Sequence, residues 1–383
     1  MNTADSEEMA QPLQDRGFIA TADPAKADII MMNTCTVRDQ AEHRADSNLG
    51  RLREWKAENP DRILIVAGCA ATRWGESIQK KYPFIDAVSP ATKIEEFPEF
   101  IAGVLKNRWD GVREARISVD PGLQHAGMTA GLDPEFVRPL IDGGNWFGDE
   151  NTAYVTIMRG CNYTCSYCIV PQVRGREVYR AMPQILEEIR DKASQGFREV
   201  MLLGQTVNSY HYRENDTPRD FTDLLRAVNT IEGIESIRFM SPHPRHMRDS
   251  VIEAMKDCSK VARHLHLPLQ SGSTRILGEM KRLYTREEYT EIIEKLRAAI
   301  PTILITTDVI VGYPEETDAD FAMTLSLMRA LRFNGLFAFK YSPRPGTASA
   351  EMADDIPDAV KEERLQTILA LNTEIKNDTM AAS

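Results

Sequence analysis

The chain has 383 residues, with 46 Lys and Arg against 57 Asp and Glu and a formal net charge of −11. That length exceeds one ordinary hydrophobic core and predicts two domains. The acidic balance excludes a surface coated in nucleic-acid-binding charge, so any RNA contact must rest on a local basic cluster.

The first residues, Met1-Asn-Thr-Ala-Asp-Ser-Glu-Glu8, are acidic where a signal peptide is basic, and no apolar run reaches a membrane span. The reading is a cytoplasmic protein with no membrane partner. Residues 5–16 read as a helix with an acidic first turn, ended at Gly17. A strand at 27–32 runs into Asn33-Thr-Cys35, and a helix at 37–59 leads to a strand at 62–67 that ends at Gly68-Cys69. A third strand is placed at 82–88 and a helix at 93–105. This alternation predicts a parallel, flavodoxin-like α/β sheet over residues 1–105, with Cys35 and Cys69 just past strand ends, where such sheets bind ligands. By position alone the two cysteines read either as ligands or as small buried residues.

Residues 106–150 lose periodicity and read as a linker, with Asp120-Pro-Gly and Gly143-Gly-Asn as breakers. From 151 to 383, strands at 153–158, 199–203, 236–240, 265–269, 304–311 and 336–341 alternate with helices at 183–195, 221–230, 249–256, 286–300 and 318–331. A last amphipathic helix spans 359–376. Six such units predict a partial, open (βα)6 TIM-like barrel, whose site lies past the carboxyl ends of its strands.

Cys161-Asn-Tyr-Thr-Cys165-Ser-Tyr167-Cys168 follows the first of these strands. Six cysteines are too sparse for a disulfide scaffold. Three thiolates in one short run suit three irons of a cubane iron–sulfur cluster and leave one iron open, whereas structural zinc sites usually pair two CxxC-like hooks. The run, with Tyr167 before its last Cys, resembles the radical S-adenosylmethionine (SAM) signature. Its flanks, Arg159-Gly-Cys-Asn162 and Ile169-Val-Pro-Gln-Val-Arg-Gly-Arg-Glu177, resemble the methylthiotransferases and, within them, the MiaB-type tRNA enzymes. The stretches Asn33 to His43 and Ala67-Gly-Cys-Ala70 resemble two cysteine motifs of that family's N-terminal domain. Leu203-Gly-Gln205-Thr-Val-Asn208-Ser-Tyr210 resembles the stretch that separates MiaB-type enzymes from relatives acting on threonylcarbamoyl-adenosine or a ribosomal protein.

The resemblance implies a 4Fe-4S cluster on Cys161, Cys165 and Cys168 that cleaves SAM to a 5′-deoxyadenosyl radical, and an auxiliary 4Fe-4S cluster held in part by Cys35 and Cys69. It implies methylthiolation of N6-isopentenyladenosine in the tRNA anticodon loop, with electrons from a donor such as flavodoxin or ferredoxin and sulfur from a source the sequence does not name. Tyr167, Gln205, Asn208, Gln270, Ser271 and Asp308, at or near strand ends, are the expected contacts to SAM or RNA. Arg174, Arg176, Arg180 and Arg344 are expected to form a local basic patch, while Cys258 and the histidines 243, 246, 264 and 266 read as structural. The family's first auxiliary Cys lies upstream of a stretch like Met1-Asn2, and a C-terminal TRAM domain usually follows the barrel. Both ends of the chain therefore read as cut, with an incomplete auxiliary cluster and an inactive iron–sulfur protein as the competing expectation.

Overall fold

The computed structural model describes residues 2–21, 23–36, 39–108, 116–119 and 151–381. They form two compact units, Met1–Val137 with Ile169–Gly175, and Arg138–Cys168 with Arg176–Ser383. Residues 169–175, read from sequence with the second domain, thus pack in the first unit. Among the described residues no helix is long and apolar enough to cross a membrane.

In the first unit, strands β1 (Ile19–Ala20), β2 (Ile29–Thr34), β3 (Ile63–Gly68), β4 (Ala87–Pro90) and β5 (Arg116–Val119) form one parallel sheet in the order β1-β5-β2-β3-β4. Strands β2 and β3 are buried along their whole length. Their unbroken apolar runs reflect cover on both faces. Ile29, Met31, Ile63 and Ile65 pack with Leu13 and Phe97 on one face, and Ile30, Met32, Leu64 and Val66 pack with Leu49 and Trp55 on the other. Two expectations change here. Within the predicted linker, Arg116–Val119 is a strand that pairs with β2 and β1; at four residues it is too short to carry a periodic signal. The rest of that linker beyond Arg108 lies outside the described residues. The third strand falls at Ala87–Pro90 rather than 82–88, since Tyr82 and Ile85 plug the core without pairing.

The second unit contains β6 (Thr152–Thr156), β7 (Met158–Arg159), β8 (Val178–Tyr179), β9 (Glu199–Leu203), β10 (His211–Glu214), β11 (Thr217–Asp220), β12 (Ser236–Phe239), β13 (His264–His266), β14 (Leu304–Val311) and β15 (Gly335–Lys340). Parallel sheets β6-β9-β12 and β13-β14-β15 are joined by a parallel bridge, Ile237 to Val261, just ahead of β13. Helices Met182–Ser194, Phe221–Asn229, Asp249–Asp257, Arg286–Ala299 and Asp318–Leu331 fall between the strands. Among the described residues β6 and β15 do not pair with each other, so the barrel is open. Two antiparallel pairs, β7 with β8 and β10 with β11, were not read from the sequence. The second is a two-residue hairpin through Asn215 and Asp216, both at positive φ, the backbone a twist-matched tight turn requires.

Reciprocal side-chain caps start three of the barrel helices: Asp220 with Asp223, Thr285 with Glu288, and Thr317 with Asp320. Asp320 also accepts from Ser273 Oγ at 2.6 Å and pairs with Arg275 at 2.5 Å. Burial opposes its charge, but the bonds from Arg275, Ser273 and Thr317 prevail and hold its carboxyl well below the usual carboxylate range. With a depressed folded value, its contribution is present above roughly pH 4 and is lost as pH falls through the lower folded value. Asp320→Ala should cost about 2–4 kcal/mol at neutral pH by leaving those donors unpartnered. Urea denaturation should show the gap from the parent protein shrinking at strongly acidic pH; a pH-independent gap would contradict this account.

Candidate functional site

The barrel site is a loop in which Asn162, Tyr163, Ser166 and Tyr167, lying between the cysteines, are tied to other parts of the unit. Gly160, at φ 77, turns the chain out of β7 into Cys161. Asn162 exchanges bonds with Glu177, Nδ2 donating to Oε2 at 3.0 Å and the Glu177 amide donating to Oδ1 at 3.2 Å. The Tyr163 ring stacks on His243 with centroids 4.1 Å apart and planes 6° from parallel, and its hydroxyl is 2.7 Å from His246 Nε2. Ser166 donates through Oγ to the Glu279 carbonyl at 2.8 Å and through its amide to the Met280 carbonyl at 3.1 Å. Tyr167 packs against Ile276, Met280, Tyr313 and Tyr341. The thiols are therefore held before anything binds them.

Cys161 Sγ lies 3.5 Å from Thr206 Oγ1, at the end of β9. Cys165 is buried and accepts from Arg282 Nη1 at 3.3 Å, and the Cys168 amide donates to the Cys165 carbonyl at 3.0 Å. Among the described residues none of the three forms a disulfide. Burial pushes the Cys161 thiol up, with Cys165 and Glu177 adding to the shift, so a bound cation is what would draw off its proton. Among the described residues no three His, Cys, Asp or Glu side chains converge on one metal-ion position. A cubane takes one thiolate per iron, so this donor set fits such a cluster without converging on one point.

Of the other expected residues in the same unit, Gln205 and Asn208 follow β9, Gln270 and Ser271 follow β13, and Asp308 lies within β14. Gln205 precedes Thr206, and its buried Oε1 has no hydrogen-bond partner among the described residues. Asn208 departs from the expected ligand contact: it is fully buried, Nδ2 donating to the His243 carbonyl at 3.0 Å and Oδ1 accepting from the His243 amide at 2.8 Å. It clamps the β9 and β12 loops together. Gln270, at φ 72, pairs through its backbone with Asp308 and Ile310. Ser271 is wholly buried, and its Oγ accepts from the Ser273 amide at 3.2 Å, which makes it a turn residue. Asp308 Oδ2 is 3.2 Å from His266 Nε2, and His266 Nδ1 is 3.1 Å from Thr306 Oγ1. Burial, with Arg282, His246 and Arg245 beyond it, drives His243 down to about 2 and keeps its ring neutral. Among the described residues no hydrogen bond joins Gln270, Ser271 or Asp308 to the cysteine loop.

Sequence reasoning missed Arg282. No motif marks it, and its contact lies 117 residues from Cys165. Its Nε donates to the Tyr284 hydroxyl at 3.2 Å, and that hydroxyl donates to the Leu269 carbonyl at 2.8 Å, beside Gln270.

In the first unit, Thr34 of β2 pairs with Gly68 of β3, so Cys35 and Cys69 follow matched positions on neighbouring parallel strands. Cys69 opens the helix Cys69–Trp74 and is 1% exposed. Arg174, from the helix Val170–Arg174, donates through Nε to Cys69 Sγ at 3.1 Å and pairs through Nη2 with Asp5 Oδ2 at 2.7 Å, both side chains buried. This removes Arg174 from the expected basic patch: it is an internal cation of the first unit. Arg180 is likewise engaged, with Glu188 at 2.6 Å. Burial raises the Cys69 thiol, which Arg174 opposes and Cys35 and Asp5 reinforce. The site offers two thiols beside one fixed positive charge.

Residues 155–328 match the model of the Radical SAM superfamily, and residues 1–89 match that of Uncharacterized protein family UPF0004. Among curated proteins, the chain is 41% identical over 384 residues to the tRNA-2-methylthio-N(6)-dimethylallyladenosine synthase of Thermoanaerobacter sp. (strain X514), covering 100% of this chain and 77% of that one. It is 42% identical over 386 residues to the protein of the same name from Trichlorobacter lovleyi, covering 100% and 84%. Among solved structures, the radical S-adenosylmethionine methyltransferase TsrM of Kitasatospora setae, with cobalamin and a [4Fe-4S] cluster bound, is similar at TM-score 0.62 and 13% identity, covering 91% of this chain and 74% of that one. The cobalamin-dependent radical enzyme OxsB is similar at TM-score 0.51 and 13% identity, covering 91% and 48%. Both likenesses bear on the fold alone.

Proposed function

The chain belongs to the tRNA-2-methylthio-N(6)-dimethylallyladenosine synthase family of radical SAM enzymes, and from that premise we propose how its residues divide the work. The family's reaction is methylthiolation of a tRNA adenosine, and its cofactors are SAM and 4Fe-4S clusters. Cys161, Cys165 and Cys168 hold the cluster that binds SAM, and Cys35 and Cys69 serve the auxiliary cluster. The observation that carries this assignment is the loop at the barrel mouth, where Asn162, Tyr163, Ser166 and Tyr167 are each anchored and so hold three thiols within one short turn of chain.

Held by Cys161, Cys165 and Cys168, such a cluster would supply an electron to SAM, chemistry no side chain offers. The chain's own groups do the positioning. Gln205, whose buried carbonyl oxygen has no partner among the described residues, would contact the cofactor together with Tyr167, Gln270 and Asp308, and Asn208 and Ser271 fix the loops that carry Gln205 and Gln270. His266 orients Asp308. The electron donor is of the flavodoxin or ferredoxin class, and the tRNA adenosine must leave its stack to reach the barrel mouth.

Anaerobically reconstituted protein, given SAM, a reductant and tRNA bearing N6-isopentenyladenosine, should yield 5′-deoxyadenosine and the 2-methylthio nucleoside by mass spectrometry. Deoxyadenosine formation with the isopentenyl nucleoside left unchanged, and threonylcarbamoyl-adenosine modified instead, would overturn the substrate assignment.

A further inference from the structure

The two buried arginines that touch a cysteine are balanced differently. Arg174 has both Cys69 and the carboxylate of Asp5. Arg282, 7% exposed, reaches Cys165 Sγ at 3.3 Å, the Tyr284 hydroxyl at 3.2 Å and the Tyr284 ring face at 5.3 Å, and among the described residues it has no carboxylate partner. A buried guanidinium is costly unless a negative charge answers it. On one side Lys281, at φ 54, ends the helix Thr274–Glu279, its amide donating to the Gly278 carbonyl and that of Arg282 to the Leu277 carbonyl; on the other, Leu283 takes φ 59, a conformation uncommon for such a residue. Leu283 is 57% exposed, so its own packing does not account for that conformation. A buried cation that no carboxylate answers among the described residues, aimed at a thiol, calls for a net negative group at that thiol.

We propose that Arg282 sets the reduction potential of the cluster held by Cys161, Cys165 and Cys168, by donating to the Cys165 sulfur and placing a fixed positive charge beside it. The proposal rests on the assignment of that cluster. A cubane bound by three thiolates is negative overall and becomes more so on taking an electron, so a neighbouring cation and an N–H donor to sulfur favour the reduced form. Arg282 is thus a positioning and tuning residue that acts through Cys165. Removing it should lower the potential and slow SAM cleavage with weak reductants more than with strong ones.

The test is an electron paramagnetic resonance redox titration of the reconstituted full chain, parent against Arg282→Met and Arg282→Lys, in a Cys35→Ala/Cys69→Ala background that isolates this cluster. The expected result is unchanged iron content, with the reduced form of Arg282→Met disfavoured at least tenfold, about 59 mV for a one-electron couple. Arg282→Lys, which keeps the charge without the planar fork, should fall between. Thermal melting of the iron-free proteins gives a second reading: Arg282→Met should melt no lower than the parent, because it removes an unanswered buried charge. Unchanged potential in a fully loaded Arg282→Met protein, or an iron-free variant that melts well below the parent, would overturn the proposal. Failure of the parent itself to assemble a cluster sensitive to Cys161→Ala would instead overturn the assignment on which it rests.

Discussion

Cys165→Ser is expected to remove SAM cleavage altogether, because on the proposed ligation it deletes a cluster ligand and strands the buried Arg282 cation in one step. Loss of a mere hydrogen-bond partner around a metal ligand typically costs about 10–100-fold, and loss of the ligand itself should exceed a hundredfold. The hydroxyl keeps the size of the thiol but is a far weaker iron ligand. Iron content should drop by about four per chain, and deoxyadenosine release should fall to background. Cys258→Ala is the matched control. Cys258 is also buried, at 3% exposure against 8% for Cys165, but it packs within the barrel core just past the helix Asp249–Asp257, among Val251, Met255 and Val261. That substitution should leave iron and turnover unchanged and cost only the stability of a small buried side chain. Equal iron loss in both variants would mean that global folding, and not ligation, sets the content.

The parts of this protein legible in the sequence are those whose causes are local. Strands β9 and β14 and the helix Asp318–Leu331 fall on the residues that pattern predicts, 199–203, 304–311 and 318–331. Each has a sustained apolar period, and the helix has a capping box at its start. The cysteine loop was equally visible because its thiols lie within one short run. What the pattern does not carry is what sheet and barrel closure bring together. Strand β5 owes its existence to a vacant edge of β2, Asn208 is a clamp only because β12 ends beside it, and Arg174 and Arg282 meet their cysteines across 105 and 117 residues. An arginine in a linear sequence reads by default as a surface charge. Only the fold shows that these two are interior cations.

Gly68 tests whether the first unit's site depends on backbone as much as on thiols. It sits at φ +93, where a side chain is strained, and a Cβ built there would stand 2.5 Å from the Thr34 carbonyl oxygen and 2.8 Å from the Thr34 amide nitrogen. Those are backbone atoms of the strand that delivers Cys35, so relief requires β2 and β3 to separate where both cysteines leave the sheet. Thr34 also links the two ends through its hydroxyl, donating to the Ala67 carbonyl at 2.6 Å and accepting from the Ala71 amide at 3.1 Å. Gly68→Ala should therefore cost about 2–4 kcal/mol, more than the ~1 kcal/mol of a positive-φ glycine in open space. Gly75→Ala supplies that reference, since its φ is +53 and nothing lies within 4 Å of the added atom. With the thiols intact, Gly68→Ala should still lose the iron that depends on Cys35 and Cys69, while SAM cleavage by the barrel cluster persists and methylthiolation does not. Retention of full iron content and product by Gly68→Ala, with Gly75→Ala behaving alike, would show that Cys35 and Cys69 reach their cluster without the close approach of β2 and β3.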